Sequence, residues 1–243
     1  EYYNPVYNKD KGNEPVTALC FQITKNKEDL WLAVIGCIAD KFLPEFYEEF
    51  REKYPELSLI PGRDKNITAF DITYKSELRK IIDLINFGLK DRTTNVMGMI
   101  RFLAKAKSPY GILTETPENR VMHKRFKEIN SKYQKLLNMA ISHAKNSGKV
   151  LFFKFFGEVS IASDLSTELI YLFPQKVVVV AYVKEGKVNI SVRGKKVRGI
   201  VLKAISDLEN ATGGGHEAAV GAKISTKDLD VFKERVEEMV ERK

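Results

Sequence analysis

Three consecutive glycines, Gly213-Gly214-Gly215, followed by His216 and then Ala218-Ala219-Val220-Gly221, restrict what this chain can do more than any other stretch. Glycine loses more backbone entropy on folding than any other residue and packs nothing. A run of three therefore belongs where the backbone takes left-handed angles or where another molecule comes very close. A Gly-rich turn feeding a helix N-terminus leaves several N–H groups pointing outward as an anion-binding concavity, and phosphate is the anion expected here. His216 is expected at its rim. The competing account is a flexible surface linker, but such linkers continue in Ser and Gly, whereas this run passes at once into Ala, Val and a further Gly.

Upstream, a strand predicted over 187–193 ends in Ser191-Val192-Arg193, and a helix predicted over 197–210 separates it from the glycines. A strand ending in Ser-x-Arg, a helix, then Gly-Gly-Gly-His and Ala-Ala-x-Gly, in that order, resembles the DHH-associated domain. That domain is the nucleic-acid-binding half of the DHH phosphoesterases, which include the RecJ exonucleases, the nanoRNases and related phosphatases. The resemblance implies that Arg193 and His216 reach the phosphates near the scissile bond. Ser191 and the backbone of Gly213, Gly214 and Gly215 would complete the cradle. Arg193 has the planar fork that suits bidentate phosphate recognition, while Lys195, Lys196 and Arg198 supply positive field without direction. A solvated basic loop is the plain alternative for those last three.

A second stretch carries the same resemblance. Residues 29–39 predict a helix apolar all round and so buried on all sides, and Asp40 emerges at its end. Gly36-Cys37-Ile38-Ala39-Asp40-Lys41 resembles the fourth conserved motif of the DHH catalytic domain. The resemblance implies a catalytic role for Asp40 as one ligand of a manganese pair, with magnesium the other hard cation suited to carboxylate oxygen. Without it, Asp40 reads as a solvated aspartate at a helix end. The first three family motifs, a DxD, an isolated Asp and the Asp-His-His, do not occur in these 243 residues, and neither His123 nor His143 has a neighbouring histidine. Two cations about 4 Å apart need several ligands. The chain by itself is therefore expected to be inactive.

The organisation expected is α/β: residues 1–72 as the end of a DHH catalytic domain, 73–148 as a helical connector, and 149–243 as a mixed-sheet DHH-associated domain. The chain opens on Glu1, and Asn4-Pro5 with the polar stretch 8–14 reads as a connection inside a domain, so a fragment is expected. Residues 16–21 predict a short strand. An acidic and aromatic helix over 44–54 is followed by a loop through Pro61-Gly62-Arg63, with no chemistry in either. Ser76 and Thr94 or Asn95 suit helix starts within the connector, and Thr116-Pro117-Glu118 predicts the start of a helix of about 30 residues, near 45 Å long. Ile85-Asn86-Phe87-Gly88-Leu89 and Ser108-Pro109-Tyr110-Gly111-Ile112-Leu113 resemble the connector of archaeal RecJ-like proteins. Beyond the break at Asn146-Ser147-Gly148, strands are predicted over 150–156, 176–184 and 187–193, with a hairpin at Glu185-Gly186, and helices over 164–173 and 226–242.

A net charge of +8 favours a polyanionic partner, although richness in Lys and Glu is also a habit of heat-adapted surfaces. Cys20 and Cys37 lack any zinc or disulfide spacing and read as reduced core thiols of a cytosolic protein, and no apolar run approaches a membrane span. The resemblance implies part of a manganese-dependent exonuclease on single-stranded DNA or RNA. Partners implied are the N-terminal catalytic segment and replication factors such as GINS. Two alternatives stand beside it: a non-catalytic RecJ-like replication or assembly module, and a small-nucleotide phosphoesterase acting on nucleotides or cyclic dinucleotides.

Overall fold

A computed structural model describes residues 14–60, 62 and 66–242. The expectations for residues 4–13 and for Pro61 and Arg63 lie outside the described residues. The chain divides into two compact units, residues 1–130 and 131–243.

The first unit is helical: α1 (Val16–Thr24), α2 (Leu30–Ala39), α3 (Tyr47–Lys53), α4 (Pro55–Ser58), α5 (Ala69–Lys75), α6 (Leu78–Gly88), α7 (Thr93–Leu103), α8 (Tyr110–Leu113) and the first half of α9 (Arg120–Ala144). The strand expected at 16–21 is instead helix α1. Short apolar runs carry no decisive periodicity, and here packing against α2 decides. Ala18 is buried, and a Cβ on Gly36 would lie 2.7 Å from Thr17 Cγ2, so the two backbones approach closely. Cys20, expected in the core, is exposed, whereas Cys37 is fully buried.

Seven of the ten α2 residues are buried, with Leu32, Gly36 and Ala39 partly open. Trp31, Val34, Ile35 and Ile38 pack with Phe50, Ile72, Leu78, Ile81 and Ile82 into one core. Removing such side chains from water stabilises the unit by about 1.5–3 kcal/mol each. The α2 C-terminus closes as a Schellman motif, with Phe42 N–H on the Cys37 carbonyl at 2.9 Å, Lys41 N–H on Ile38 at 3.0 Å and Lys41 at φ 62. Helix α9 starts at Arg120, after the predicted Thr116 cap, because buried Asn119 collects the preceding turn: its Oδ1 accepts from Thr116 N–H at 2.7 Å and its Nδ2 donates to Thr114 and Gly111.

The second unit holds the rest of α9, then β1 (Val150–Phe156), α10 (Ala162–Leu172), β2 (Val177–Lys184), β3 (Lys187–Arg193), α11 (Val197–Ala204), β4 (Thr212–His216), β5 (Ala219–Ser225) and α12 (Leu229–Glu241). The sheet order is β1-β2-β3-β5-β4, with β1 parallel to β2 and every other neighbour antiparallel. This is the mixed α/β domain the sequence predicted. One face carries Val179, Ala181, Val188, Ile190, Val192, Val220 and Ala222, which pack with Val197, Ile200 and Val201 of α11 and Phe232 and Val236 of α12. Helix α10 covers the other face over β2 and β3. Helix α11 ends at Ala204, earlier than the predicted 210, because Arg235 of α12 donates to the Ala204 carbonyl at 2.9 Å and pairs with Asp207.

Candidate nucleic-acid interface

The glycine run is a strand, β4, and not a turn feeding a helix. Glycine has little intrinsic preference for strands, so the partner supplies the reason: β4 pairs along its whole length with β5, closing a hairpin at Glu217-Ala218. That hairpin is anchored to the loop leaving β3. Gly194 N–H donates to the Ala218 carbonyl at 3.1 Å and Val197 N–H to the Glu217 carbonyl at 2.9 Å. The Arg193 and His216 ends of the two segments, 23 positions apart in sequence, are thereby held together.

Register places the predicted residues in rows across β3, β5 and β4. Arg193, Ala219 and His216 form the end row; Ser191, Gly221 and Gly214 form the next; Asn189, Lys223 and Thr212 form a third. Directly opposed residues share a face, and residues two apart along a strand share it too. All nine therefore lie on the face opposite α11 and α12. His216, Gly214, Gly221, Asn189, Lys223 and Thr212 are exposed, and Ser191, Arg193 and Ala219 are half-buried. The middle row carries nothing larger than a serine hydroxymethyl, so beyond α10, which covers β2 and β3, the sheet over β5 and β4 is bare backbone there.

Each glycine of the run has its own cause. A Cβ on Gly213 would meet Ile205 Cδ1 at 2.7 Å, so Gly213 makes room for the helix-covered face. Gly215 stands at φ 143, and a Cβ there would sit 2.4 Å from the Ala219 carbonyl oxygen, so its backbone excludes a side chain. Gly214 has no positive φ and nothing within 4 Å of a Cβ, and Gly221 meets only the Ile190 carbonyl at 4.0 Å. Neither the fold nor the packing of this domain requires glycine at 214 or 221.

Arg193 is oriented from the side. Its Nη2 donates to Ser163 Oγ at 3.0 Å and its Nη1 to the Val192 carbonyl at 3.1 Å. Ser163 sits in the first turn of α10, thirty positions upstream, a spacing that offers no sequence signal. Lys195 and Lys196 are placed in the loop after β3, and Arg198 is exposed in the first turn of α11, a turn with no acidic residue. Cations at a helix N-terminus oppose its dipole, so these three do not serve the stability of α11.

Asp40 lies in the first unit, at the exposed C-cap of α2, its N–H on the Gly36 carbonyl at 3.1 Å. A carboxylate at a helix C-terminus is also opposed by the dipole. Together with burial, its charge helps push the Cys37 thiol up to about 12. Among the described residues no group of three or more His, Cys, Asp or Glu is placed to hold a metal ion. His123 is buried and structural, its Nε2 donating to the Ile112 carbonyl at 2.8 Å. The chain's own described residues therefore do not make a complete two-cation centre.

Residues 146–242 match the model of the DHHA1 domain. The chain carries a DHHA1 domain. Its fold is that of RecJ exonucleases over most of the sequence. RecJ of Thermus thermophilus in complex with Mn2+ superposes at a TM-score of 0.59 and 16% identity, covering 92% of this chain and 34% of that one. The same protein with Mg2+ gives 0.57 at 16% identity, covering 92% and 36%. A manganese-bound exonuclease RecJ gives 0.53 at 17% identity, covering 89% and 55%. The DHHA1-bearing chain thus spans from about a third to a little over half of these proteins. No curated protein matches it. Among the described residues, no helix is long and apolar enough to cross a membrane.

Proposed function

We propose that this chain is the substrate-binding part of a RecJ-like, divalent-metal-dependent phosphodiesterase that acts as an exonuclease on single-stranded nucleic acid. The observation that carries the reading is the pair Gly214 and Gly221, which neither backbone angle nor packing requires, on an open face beside Arg193 and His216. A side chain is absent there because another molecule takes its place, and a phosphodiester backbone is the flattest polyanion that fits beside a guanidinium and an imidazole. Arg193, held by Ser163, presents a directed fork to a phosphate; His216 closes the same row; Lys195, Lys196 and Arg198 supply field.

In this reading Asp40 donates one oxygen ligand to a manganese or magnesium pair. When bound, that pair activates water and neutralises the developing charge on the phosphate. Because a lone carboxylate does not hold two cations, cleavage belongs to a larger catalytic unit, and the chain's own contribution is to bind and orient the strand. The test is Gly214→Val, read by fluorescence anisotropy on a labelled single strand with circular dichroism alongside. Weaker binding with an unchanged spectrum is expected; unchanged affinity with an intact fold overturns the phosphate face.

A further inference from the structure

The open face continues past the Asn189-Lys223-Thr212 row. There the β2–β3 turn and the start of the segment leading to α12 border an open cavity of about 530 Å3, lined by Lys187, Lys223, Lys227, Glu209, Asn210 and Thr212 among others. That volume is in the range of clefts that hold a small ligand, roughly 300–1,000 Å3.

Its charge is not of the kind that stabilises a sheet. Lys187 is opposite Ser225 and Lys223 is opposite Asn189, so the two lysines are diagonal neighbours on adjacent strands and on one face. Like charges so placed repel. Glu209 pairs with Lys227 at 3.5 Å, but among the described residues no carboxylate pairs with Lys187 or Lys223. An anion in the cavity would satisfy both.

The cavity is also in line with the glycine strip. From Ala219, in the Arg193 row, to Lys223 is four positions along β5, about 13 Å at roughly 3.3 Å per residue. At about 3.4 Å per nucleotide, the rise of one strand in a duplex, that separation is about four nucleotides when the strand is stacked and fewer when it is extended.

We infer that the lysine-lined cavity is a second phosphate subsite, which takes the sugar–phosphate backbone of a single strand whose other end lies at Arg193 and His216. The inference rests on the reading of the glycine face as a phosphodiester surface. It makes the ligand a strand longer than a dinucleotide, since a dinucleotide held at Arg193 does not span the distance.

The test uses the whole chain with fluorescein-labelled dinucleotide and hexanucleotide, in deoxyribose and ribose forms, titrated at several salt concentrations. Lys187→Ala combined with Lys223→Ala is expected to weaken hexanucleotide binding about tenfold and to reduce the salt slope by about 1.4, or roughly 0.7 for each lost contact, with dinucleotide binding unchanged. Arg193→Lys is expected to weaken both lengths. Equal losses for both lengths, or none, in the lysine variant overturn the subsite while the Arg193 response stands. A loss confined to the ribose strands overturns it as a phosphate site. Absence of any response to Arg193→Lys overturns the reading on which it rests.

Discussion

Gly194 donates its amide to the carbonyl of Ala218 at 3.1 Å, and this bond between two loops brings the exit of β3 and the tip of the β4–β5 hairpin to one end of the sheet. Arg193 precedes Gly194 directly, and His216 lies two residues before Ala218. The geometry of the end row therefore depends on backbone and not on the side chains that would contact a ligand. Those side chains are open to substitution without loss of the frame.

The three glycines should separate cleanly by stability. Gly214→Ala is expected to change unfolding free energy by no more than about 0.5 kcal/mol, the ordinary range at an exposed site. Gly215→Ala should cost about 1–3 kcal/mol or more, because its backbone angle and the Ala219 carbonyl both exclude a Cβ. Gly213→Ala should fall between, since the clashing Ile205 Cδ1 is a side-chain end that can turn away. Urea titration followed by circular dichroism gives all three; a Gly214 cost equal to that of Gly215 would remove the argument for an external partner.

Arg193→Lys keeps the charge and loses the fork, and should weaken single-strand binding by about 1–3 kcal/mol. Ser163→Ala should give a smaller loss of the same sign, by freeing the guanidinium it orients. Lys195→Ala and Lys196→Ala should each cost less than Arg193→Lys and lower the salt slope by about 0.7 if each lysine meets one phosphate. If Arg193→Lys binds like the parent while the lysine variants fail, the surface is a diffuse basic one and the directed site is wrong.

The metal role proposed for Asp40 predicts that binding and cleavage separate. In the intact catalytic protein Asp40→Ala should abolish most metal-dependent hydrolysis and leave strand affinity unchanged. In the chain itself Asp40→Asn should raise stability by about 0.3–1 kcal/mol, because it removes a negative charge from the C-terminus of α2. Retained turnover in Asp40→Ala would return the residue to a solvated helix end.

Cys37 makes stability fall in alkali. Burial, then the charges of Asp40 and Glu14, raise its folded pKa to about 12, above the value of an exposed thiol, so the folded state holds the proton longer. The stabilisation is complete below about pH 8.5 and is lost as pH rises toward about 12, at a slope of up to about 1.4 kcal/mol per pH unit. Urea midpoints of the parent and Cys37→Ala, compared at increasing pH, should converge through this window; parallel curves would contradict the buried neutral thiol.

The α/β character and the DHH-associated resemblance were legible because they rest on dense local signals. Strands 150–156 and 187–193 agree with the structure to the residue, since β-branched and aromatic residues crowd both and Glu185-Gly186 supplies the two left-handed positions the hairpin needs. Other features depended on contacts that no local pattern encodes. Residues 16–24 are helical because α2 lies alongside them, and β4 is a strand because β5 offers it an edge. Arg235 shortens α11 from 31 positions away, and Ser163 reaches Arg193 from 30. The rows that align Arg193 with His216 and Gly214 with Gly221 follow from register, which two strands in antiparallel order leave undetermined until their turn is known.

The bare edge at β4 has a consequence for solubility. A fully exposed edge strand is a template on which a second chain can add, and proteins ordinarily blunt such edges with charge, proline or a bulge. Here the edge is blunted by the poverty of its side chains: three glycines in five residues give a joining strand nothing to interdigitate with and little propensity to extend. Filling 214 with valine would therefore do more than crowd a ligand. It would turn an inert margin into a sticky one, and self-association rising with protein concentration would be its sign.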